Sequence, residues 1–484
     1  MHDSVPLRIA TRPSAKADRI VVGVFAGEEP RLPRADLEEA GAALRFGGRE
    51  RETAEASLRG GRARLVLAGL GERSELQGPT LQKWLRSIVA QTRPQQVRRL
   101  AVVLPPHEET SGDAAALRVG LELVLGGYRF DRFRAKKSAA TLRTVEIVPP
   151  DEELGAYRKG ARDVAAIAGG VALTRDLANT PPNVATPAWM ASQARRLARA
   201  RGMRVEVLAK TELERRKMGG ILAVGAGSAN GPRLVRLRWG RRGPRVALVG
   251  KGVTFDTGGI SIKPSQSMEE MKFDKCGACA VLGVAAAVVD LDLPIRLNAY
   301  LPFAENMPDA AAYRPSDIIR CYDGTTVEII NTDAEGRLIL ADALAWAAED
   351  EPDYLLEMST LTGASVVALG ESAAALYCSD DAWAGALLLA AAESGERLWR
   401  MPLWPELVEQ MKGTHADLKN SGGRWGGGNT AAAFLSRFVG DCRRWAHVDL
   451  AGPAYAKQGE SGPEATGYGV ATTVRWLRSL EQAP

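Results

Sequence analysis

The sequence predicts a two-domain α/β protein, with a small α/β amino-terminal domain and a larger domain built on a mixed, mostly parallel central sheet covered by helices. Three observations carry that expectation. Short β-rich runs alternate with helical stretches of ten or more residues, which rules out simple hairpins and demands crossover connections. Several strand candidates, Val246–Val249 and Tyr354–Met358 among them, are apolar without alternation, as strands covered on both faces are. At 484 residues the chain also exceeds one ordinary domain.

Within residues 1–150, strands are expected at Arg19–Phe25, Arg64–Leu67, Arg99–Leu104 and Val145–Val148, with helices at Arg34–Leu44, Thr80–Gln91 and Asp113–Gly126. A connecting helix over 151–180 reads as one long pattern, ended where Pro181 and Pro182 forbid its continuation. From 181 to 484 the alternation resumes with helix Pro187–Arg201, strand Arg204–Leu208, helix Lys210–Lys217, and strands Arg233–Trp239 and Arg245–Val249. Helix Met268–Val289, strands Ile295–Pro302 and Thr326–Ile330, helix Leu338–Glu349 and strand Tyr354–Ser359 follow. No repeat of fixed period is visible.

Hydrophobic residues at 45% and charged residues at 25% are the globular balance, far from that of a disordered chain. The longest apolar stretches, Ala278–Val289 and Ala382–Ala392, fall short of the ~18 residues a membrane helix needs. Charges at Asp3, Arg8, Arg12, Lys16 and Asp18 break up any signal-peptide core. A soluble, cytoplasmic protein is expected. Its five cysteines, too few and odd in number for a disulfide framework, are expected as thiols. The net charge is +5, and it is uneven: the first 165 residues, with 28 Lys and Arg against 22 Asp and Glu, carry +6 and the remainder −1. Spread over an Arg/Glu-rich surface, that surplus reads as solvated faces rather than a nucleic-acid footprint.

Elimination narrows the chemistry. The four histidines, His2, His107, His415 and His447, include no pair at zinc-site spacing, so any metal must be held by oxygen. No nucleophile elbow, dinucleotide fingerprint or phosphate loop is present. Two segments remain. In the first, Val249–Lys263, a strand delivers Lys251 and Asp256 to the carboxyl edge of the sheet, Gly258 and Gly259 permit a sharp turn, and Lys263 returns toward the same edge. Asp274, a few residues on, begins an Ala/Val-rich helix too apolar for the surface. In the second, Asn331–Arg337, Asp333 and Glu335 share one side of an extended link. Four acids at the ends of apolar elements are prohibitive unless neutralised, and two divalent cations would do so. The competing account is structural ion pairing with the neighbouring bases. Cys276 and Cys279 read as packed, inert thiols rather than a redox pair; His447 and Asp449, at alternating strand positions, could lie near the site but read first as core or hydrogen-bonded residues.

Asn331-Thr-Asp-Ala-Glu-Gly-Arg-Leu338 resembles the signature of the leucyl aminopeptidase, or cytosol aminopeptidase, family. Val249–Pro264 is similar to that family's first metal segment, and further likeness lies at Leu177–Pro187, Met358–Ala364, Ala416–Gly422 and Trp445–Ala454. The resemblance covers residues 160–475; residues 1–150 are similar in pattern and length to the family's variable, macro-like amino-terminal domain. It implies a two-metal aminopeptidase that prefers Leu-like amino-terminal residues and works through a hydroxide bridged by the metals. Lys251, Asp256, Asp274, Asp333 and Glu335 would bind two Zn²⁺ or Mn²⁺ ions, with Asp256 and Glu335 bridging. Lys263 and Arg337 would be the catalytic pair, Lys263 as electrophile and Arg337 holding a bicarbonate ion as general base. Thr360, Leu361 and Gly363 would hold the peptide backbone, and Met271, Thr360 and Ala451 would line the side-chain pocket. A homohexamer is implied as well. The second reading is a non-catalytic or DNA-binding member of the same family.

Overall fold

The computed structural model describes residues 5–58, 61, 63–136, 142–459 and 462–481. The chain forms two compact units, residues 1–172 with 393–395, and residues 173–392 with 396–484.

In the first unit, strands β1 (Leu7–Ile9), β2 (Arg19–Phe25), β3 (Thr53–Ser57), β4 (Arg64–Gly71), β5 (Arg99–Val103) and β6 (Thr144–Val148) form one sheet in the order β1-β6-β5-β2-β4-β3. All pairs are parallel except β3 with β4. Helices α1 (Ala35–Ala42), α2 (Gly78–Thr92) and α3 (Gly112–Leu125) make the crossovers. Ile20, Val22, Leu65 and Leu67 enter one core with Leu37 of α1, whereas Val21, Val66, Leu100 and Val102 enter another with Leu81, Leu85 and Leu123 of α2 and α3. Strands β2, β4 and β5 are thus buried on both faces.

Helix α4 (Leu154–Asn179) carries the chain across the division between the units and stops two residues before Pro181. Its successors are α5 (Pro187–Ala200), β7 (Arg204–Leu208), α6 (Lys210–Arg215), α7 (Gly219–Val224), β8 (Arg233–Trp239), β9 (Arg245–Gly250) and β10 (Gly252–Asp256). Next come α8 (Cys276–Asp290), β11 (Arg296–Asn306), β12 (Ile318–Arg320), β13 (Thr326–Glu328), α9 (Gly336–Ala348), β14 (Tyr354–Ser359) and α10 (Gly363–Leu369). Strands β15 (Ala374–Cys378), β16 (Leu398–Arg400) and β18 (Trp445–Asp449) join the large sheet, β17 (Leu418–Lys419) pairs with β13, and β19 (Tyr455–Gly459) and β20 (Gly462–Ala465) form a separate antiparallel pair. The large sheet runs β16-β15-β18-β14-β9-β11-β8-β7, with β10 paired to the far end of β11. Its centre, β18-β14-β9-β11, is parallel, and antiparallel pairs appear on either side of it.

Helices α9 and α8 cover opposite faces of that centre. Ala247, Val249 and Leu355 share a core with Leu338 to Ala347 of α9, whereas Gly250, one residue out of phase, backs onto α8 with room for no side chain: a Cβ there would lie 2.7 Å from the Ala278 Cα. Gly277 makes the same approach from the helix side, its missing Cβ falling 2.1 Å from the Met358 carbonyl oxygen. Among the described residues no helix is long and apolar enough to cross a membrane.

Three expectations need correction. The single helix over Met268–Val289 is broken into a 3₁₀ segment, Met268–Phe273, and α8, because Asp274 and Lys275 leave the helical path to bury their charged ends. Lys275 donates to the carbonyls of Thr180 and Lys272, bonds that an uninterrupted helix would not allow it. The link carrying Asp333 and Glu335 is a turn rather than extended, with Glu335 already helical at φ −78°, ψ −38°. β11 also outruns its expected end at Pro302 by four residues, since its antiparallel bonds to β8 give way to pairing with β10. Cys276 and Cys279 are buried thiols in the first turn of α8.

Gly277→Ala is expected to destabilise the protein by about 1–3 kcal/mol, because α8 must back away from β14. Denaturant titration checks this, and an unchanged midpoint contradicts the close approach.

Candidate functional site

The carboxyl ends of β9, β10 and β14 converge where α8 and α9 begin. Past Gly250, Lys251 stays bound to both neighbours, its N–H donating to the Met358 carbonyl at 3.1 Å and its carbonyl accepting from Ala278 N at 2.8 Å. Asp256 closes β10 beside Asn306 of β11. The chain then reverses through Gly258 and Gly259, at φ 86° and 65°, a conformation that side chains resist. A Cβ on Gly258 would also meet Asp333 Oδ1 at 2.8 Å. Thr332 sews the two acidic segments together, its hydroxyl donating to Gly258 O at 2.6 Å and accepting from Ser261 N at 2.8 Å.

All five expected metal-binding residues are thereby brought together. Lys251 Nζ lies 2.8 Å from Asp274 Oδ1, 2.9 Å from Glu335 Oε1 and 2.9 Å from the Thr360 carbonyl oxygen. Lys263 Nζ lies 2.8 Å from Asp256 Oδ2 and 2.5 Å from Asp333 Oδ1. Asp256, Asp333 and Glu335 each offer an oxygen within 4.8 Å of the others. Lys251, Asp256, Asp274 and Glu335 are buried; the side chains of Asp333 and Lys263 keep 32% and 22% of their exposure.

The lysines do pair with these acids, as the structural ion-pair account requires, but two ammonium groups face four carboxylates. The remainder shows in the proton affinities. Burial and the Glu335 charge push the Asp256 carboxyl up to about 6, and burial pushes Asp274 up to about 8 against the pull of Lys251. Burial works to discharge Lys251 and Lys263, yet the surrounding carboxylates outweigh it and raise both above the ordinary lysine range. Asp274 Oδ2 is buried with no hydrogen-bond partner. A cluster of hard oxygen donors with surplus negative charge and an orphaned carboxylate oxygen fits divalent cations.

Arg337, second residue of α9, is 8% exposed and donates to the Asn420 carbonyl at 2.7 Å, while its Nε has no partner. Burial lowers it to about 10, against the charges of Glu335 and Asp449. Of the residues expected to bind substrate, Thr360 touches the cluster directly, donating to Asp274 Oδ1 at 2.7 Å. The Met271 carbonyl accepts from Asp274 N at 3.3 Å. Leu361 N and Ala451 N both donate to Asp449 Oδ1, and Gly363 opens α10, exposed to solvent.

Several supporting residues escaped the sequence reading. Asn306 donates to Asp256 Oδ1 at 2.8 Å and to Thr332 O at 3.0 Å. Asn420 Oδ1 accepts from the N–H groups of Ile330 and Asn331, so its side chain braces the segment that its own carbonyl links to Arg337. Asn420 lies in a stretch with family likeness, a signal that was present, while Asp449, read as core or hydrogen-bonded, is buried and accepts four hydrogen bonds. Asn306 had no such signal, because its role comes from strand register alone.

Residues 172–474 match the model of the cytosol aminopeptidase family catalytic domain, and residues 21–137 match that family's N-terminal domain. Among curated relatives, a probable cytosol aminopeptidase of Roseiflexus castenholzii is 40% identical, covering 97% of this chain and 98% of its own. One from Geobacter sp. (strain M21) is 41% identical over 95% of this chain and 96% of its own. Among solved structures, the bottromycin maturation enzyme BotP in complex with Mn superposes with a TM-score of 0.84 at 35% identity, covering 96% of this chain and 99% of that one. A mutant of tomato leucine aminopeptidase superposes with a TM-score of 0.83 at 33% identity, covering 98% and 96%.

Asp256 and Asp274, raised to about 6 and about 8, stand above the ~3.9 of an unfolded aspartate. Folding therefore takes up protons between those limits, and their contribution to stability, full below pH ~4, is lost as pH rises toward ~8. Divalent ions compete with these protons, so the gain in thermal midpoint on adding Mn²⁺ is expected to grow between about pH 5.5 and pH 8. A gain independent of pH contradicts the assignment.

Proposed function

This chain belongs to the cytosol aminopeptidase family, and from that premise we propose that it is a two-metal aminopeptidase that releases amino-terminal residues with a preference for Leu-like side chains. The observation that carries this reading is the convergence of Asp256, Asp333 and Glu335 oxygens within 4.8 Å beside an unpartnered Asp274 oxygen. Lys251, once a bound dication displaces its proton, and Asp256, Asp274, Asp333 and Glu335 would hold two Zn²⁺ or Mn²⁺ ions. Bound there, the ions supply Lewis acidity, which makes water a nucleophile at neutral pH and polarises the scissile carbonyl.

The protein's own groups divide the remaining work. Lys263 keeps its proton because Asp256, Glu335 and Asp333 outweigh its burial, so it acts as a fixed positive charge for the oxyanion that develops at the carbonyl, not as a base. Asp274 presents its free oxygen to the substrate's amino group, and requiring that group explains cleavage at the first peptide bond only. Arg337, with a free Nε and a planar fork, would seat a bicarbonate ion, whose chemistry is to accept the proton of the attacking water. Thr360, Leu361 and Gly363 would receive the peptide backbone, and Met271, Thr360 and Ala451 would line the pocket for its first side chain. A cytoplasmic homohexamer, with residues 1–150 as its amino-terminal domain, belongs to the same proposal. Both Lys263 and Arg337 are present at the cluster, which favours a working enzyme over an idle member of the family.

Hydrolysis of Leu-p-nitroanilide is expected to cease with a chelator and return with Mn²⁺ or Zn²⁺; rates indifferent to either treatment sink the reading. Lys263→Ala is expected to lower kcat by about 10²–10³-fold with a smaller change in KM. A fall confined to KM would instead make Lys263 a binding residue.

A further inference from the structure

Asp449 ends β18 with no exposed surface. A carboxylate removed from water needs compensation, yet among the described residues no lysine, arginine or histidine stands at ion-pair distance from it. Four hydrogen bonds take that place. Oδ1 accepts from Leu361 N at 3.0 Å and Ala451 N at 3.3 Å; Oδ2 accepts from Thr362 Oγ1 at 2.6 Å and Ser365 Oγ at 2.7 Å. These donors lie on two different segments. β14 and β18 run parallel in register as far as Ser359 beside Asp449, and beyond that point the chains diverge, one into residues 360–365 and the other into the turn at Leu450 and Ala451. The first segment is itself tied to the acidic cluster, since Thr360 donates to Asp274 and accepts from Lys251.

We propose that Asp449 is a positioning residue that clamps the 360–365 segment to the Leu450–Ala451 turn and so sets the width of the wall against which the substrate's first residue lies. The inference rests on the aminopeptidase reading. Its side chain is one hydrogen bond removed from Leu361 and Ala451, which would touch substrate, so its loss should loosen binding more than it slows the bond-breaking step.

The test compares Asp449→Ala with Asp449→Asn. In Asn, Oδ1 still accepts from both N–H groups, and the amide can donate to the two hydroxyls once they rotate. Asp449→Ala is expected to raise KM for Leu-p-nitroanilide about tenfold, with kcat within about threefold and metal content unchanged, while Asp449→Asn restores KM to within about threefold of the native value. An unchanged KM in Asp449→Ala, or a loss of kcat that follows a loss of metal, overturns the proposal. Should Asp449→Ala fail to fold, Ser365→Ala, which removes one of the four bonds, is expected to raise KM about threefold, and no change overturns it. Hydrogen exchange separates this inference from its premise. The Leu361 and Ala451 amides should exchange at least about tenfold faster in Asp449→Ala than in the native protein or Asp449→Asn, with or without turnover. If the native protein with Mn²⁺ hydrolyses nothing, the aminopeptidase reading fails; equal exchange in all three proteins refutes the clamp itself.

Discussion

Four carboxylates gathered at the rim of one sheet, three of them buried, set the terms for the rest of the catalytic unit. Each buried ion costs several kcal/mol of lost hydration after relaxation, so such a group survives only when opposite charge and donors surround it closely. Lys251 and Lys263 each bridge two of the acids and still leave the cluster short of positive charge. The deficit appears as carboxyls that hold their protons well above the ordinary range. It is also what gives the site an appetite for dications.

The local backbone serves that cluster. Asp274 reaches it because the chain between the 3₁₀ segment and α8 leaves the helical path, and Lys251 reaches it because Gly336 leaves space: a Cβ there would lie 2.6 Å from the lysine Nζ. Asn306, Thr332 and Asn420 add a layer of neutral hydrogen bonds that orient the acids without altering their charge. The two lysines differ in freedom as well. Lys251 is wholly enclosed, whereas the Lys263 side chain keeps 22% exposure on a loop, which suits one to hold and the other to meet a ligand.

Much of this was legible beforehand. The strands Arg19–Phe25, Arg204–Leu208, Arg233–Trp239 and Tyr354–Ser359 have the expected bounds, and the first and last, buried along nearly their whole length, end where their apolar runs end. The break before α8 was not legible, since Met268–Val289 has helical composition throughout and only the partners waiting for Asp274 and Lys275 pull it apart. Asn306 was hidden for a similar reason: its position opposite Asp256 depends on how β10 meets β11.

By itself the sequence determined the kinds of element, their order, the two-domain division of labour, and the inventory of acids and bases, because periodicity, prolines and glycines act over a few residues. Family likeness at Val249–Pro264 and Asn331–Leu338 pointed to acids that the fold brings together. Only the tertiary structure decided which carboxylate each lysine binds, that Asp274 keeps one oxygen free, and that Asp449 joins two segments some ninety residues apart. Those outcomes follow from strand register and from burial, and both are properties of chain segments distant in sequence that no local pattern encodes.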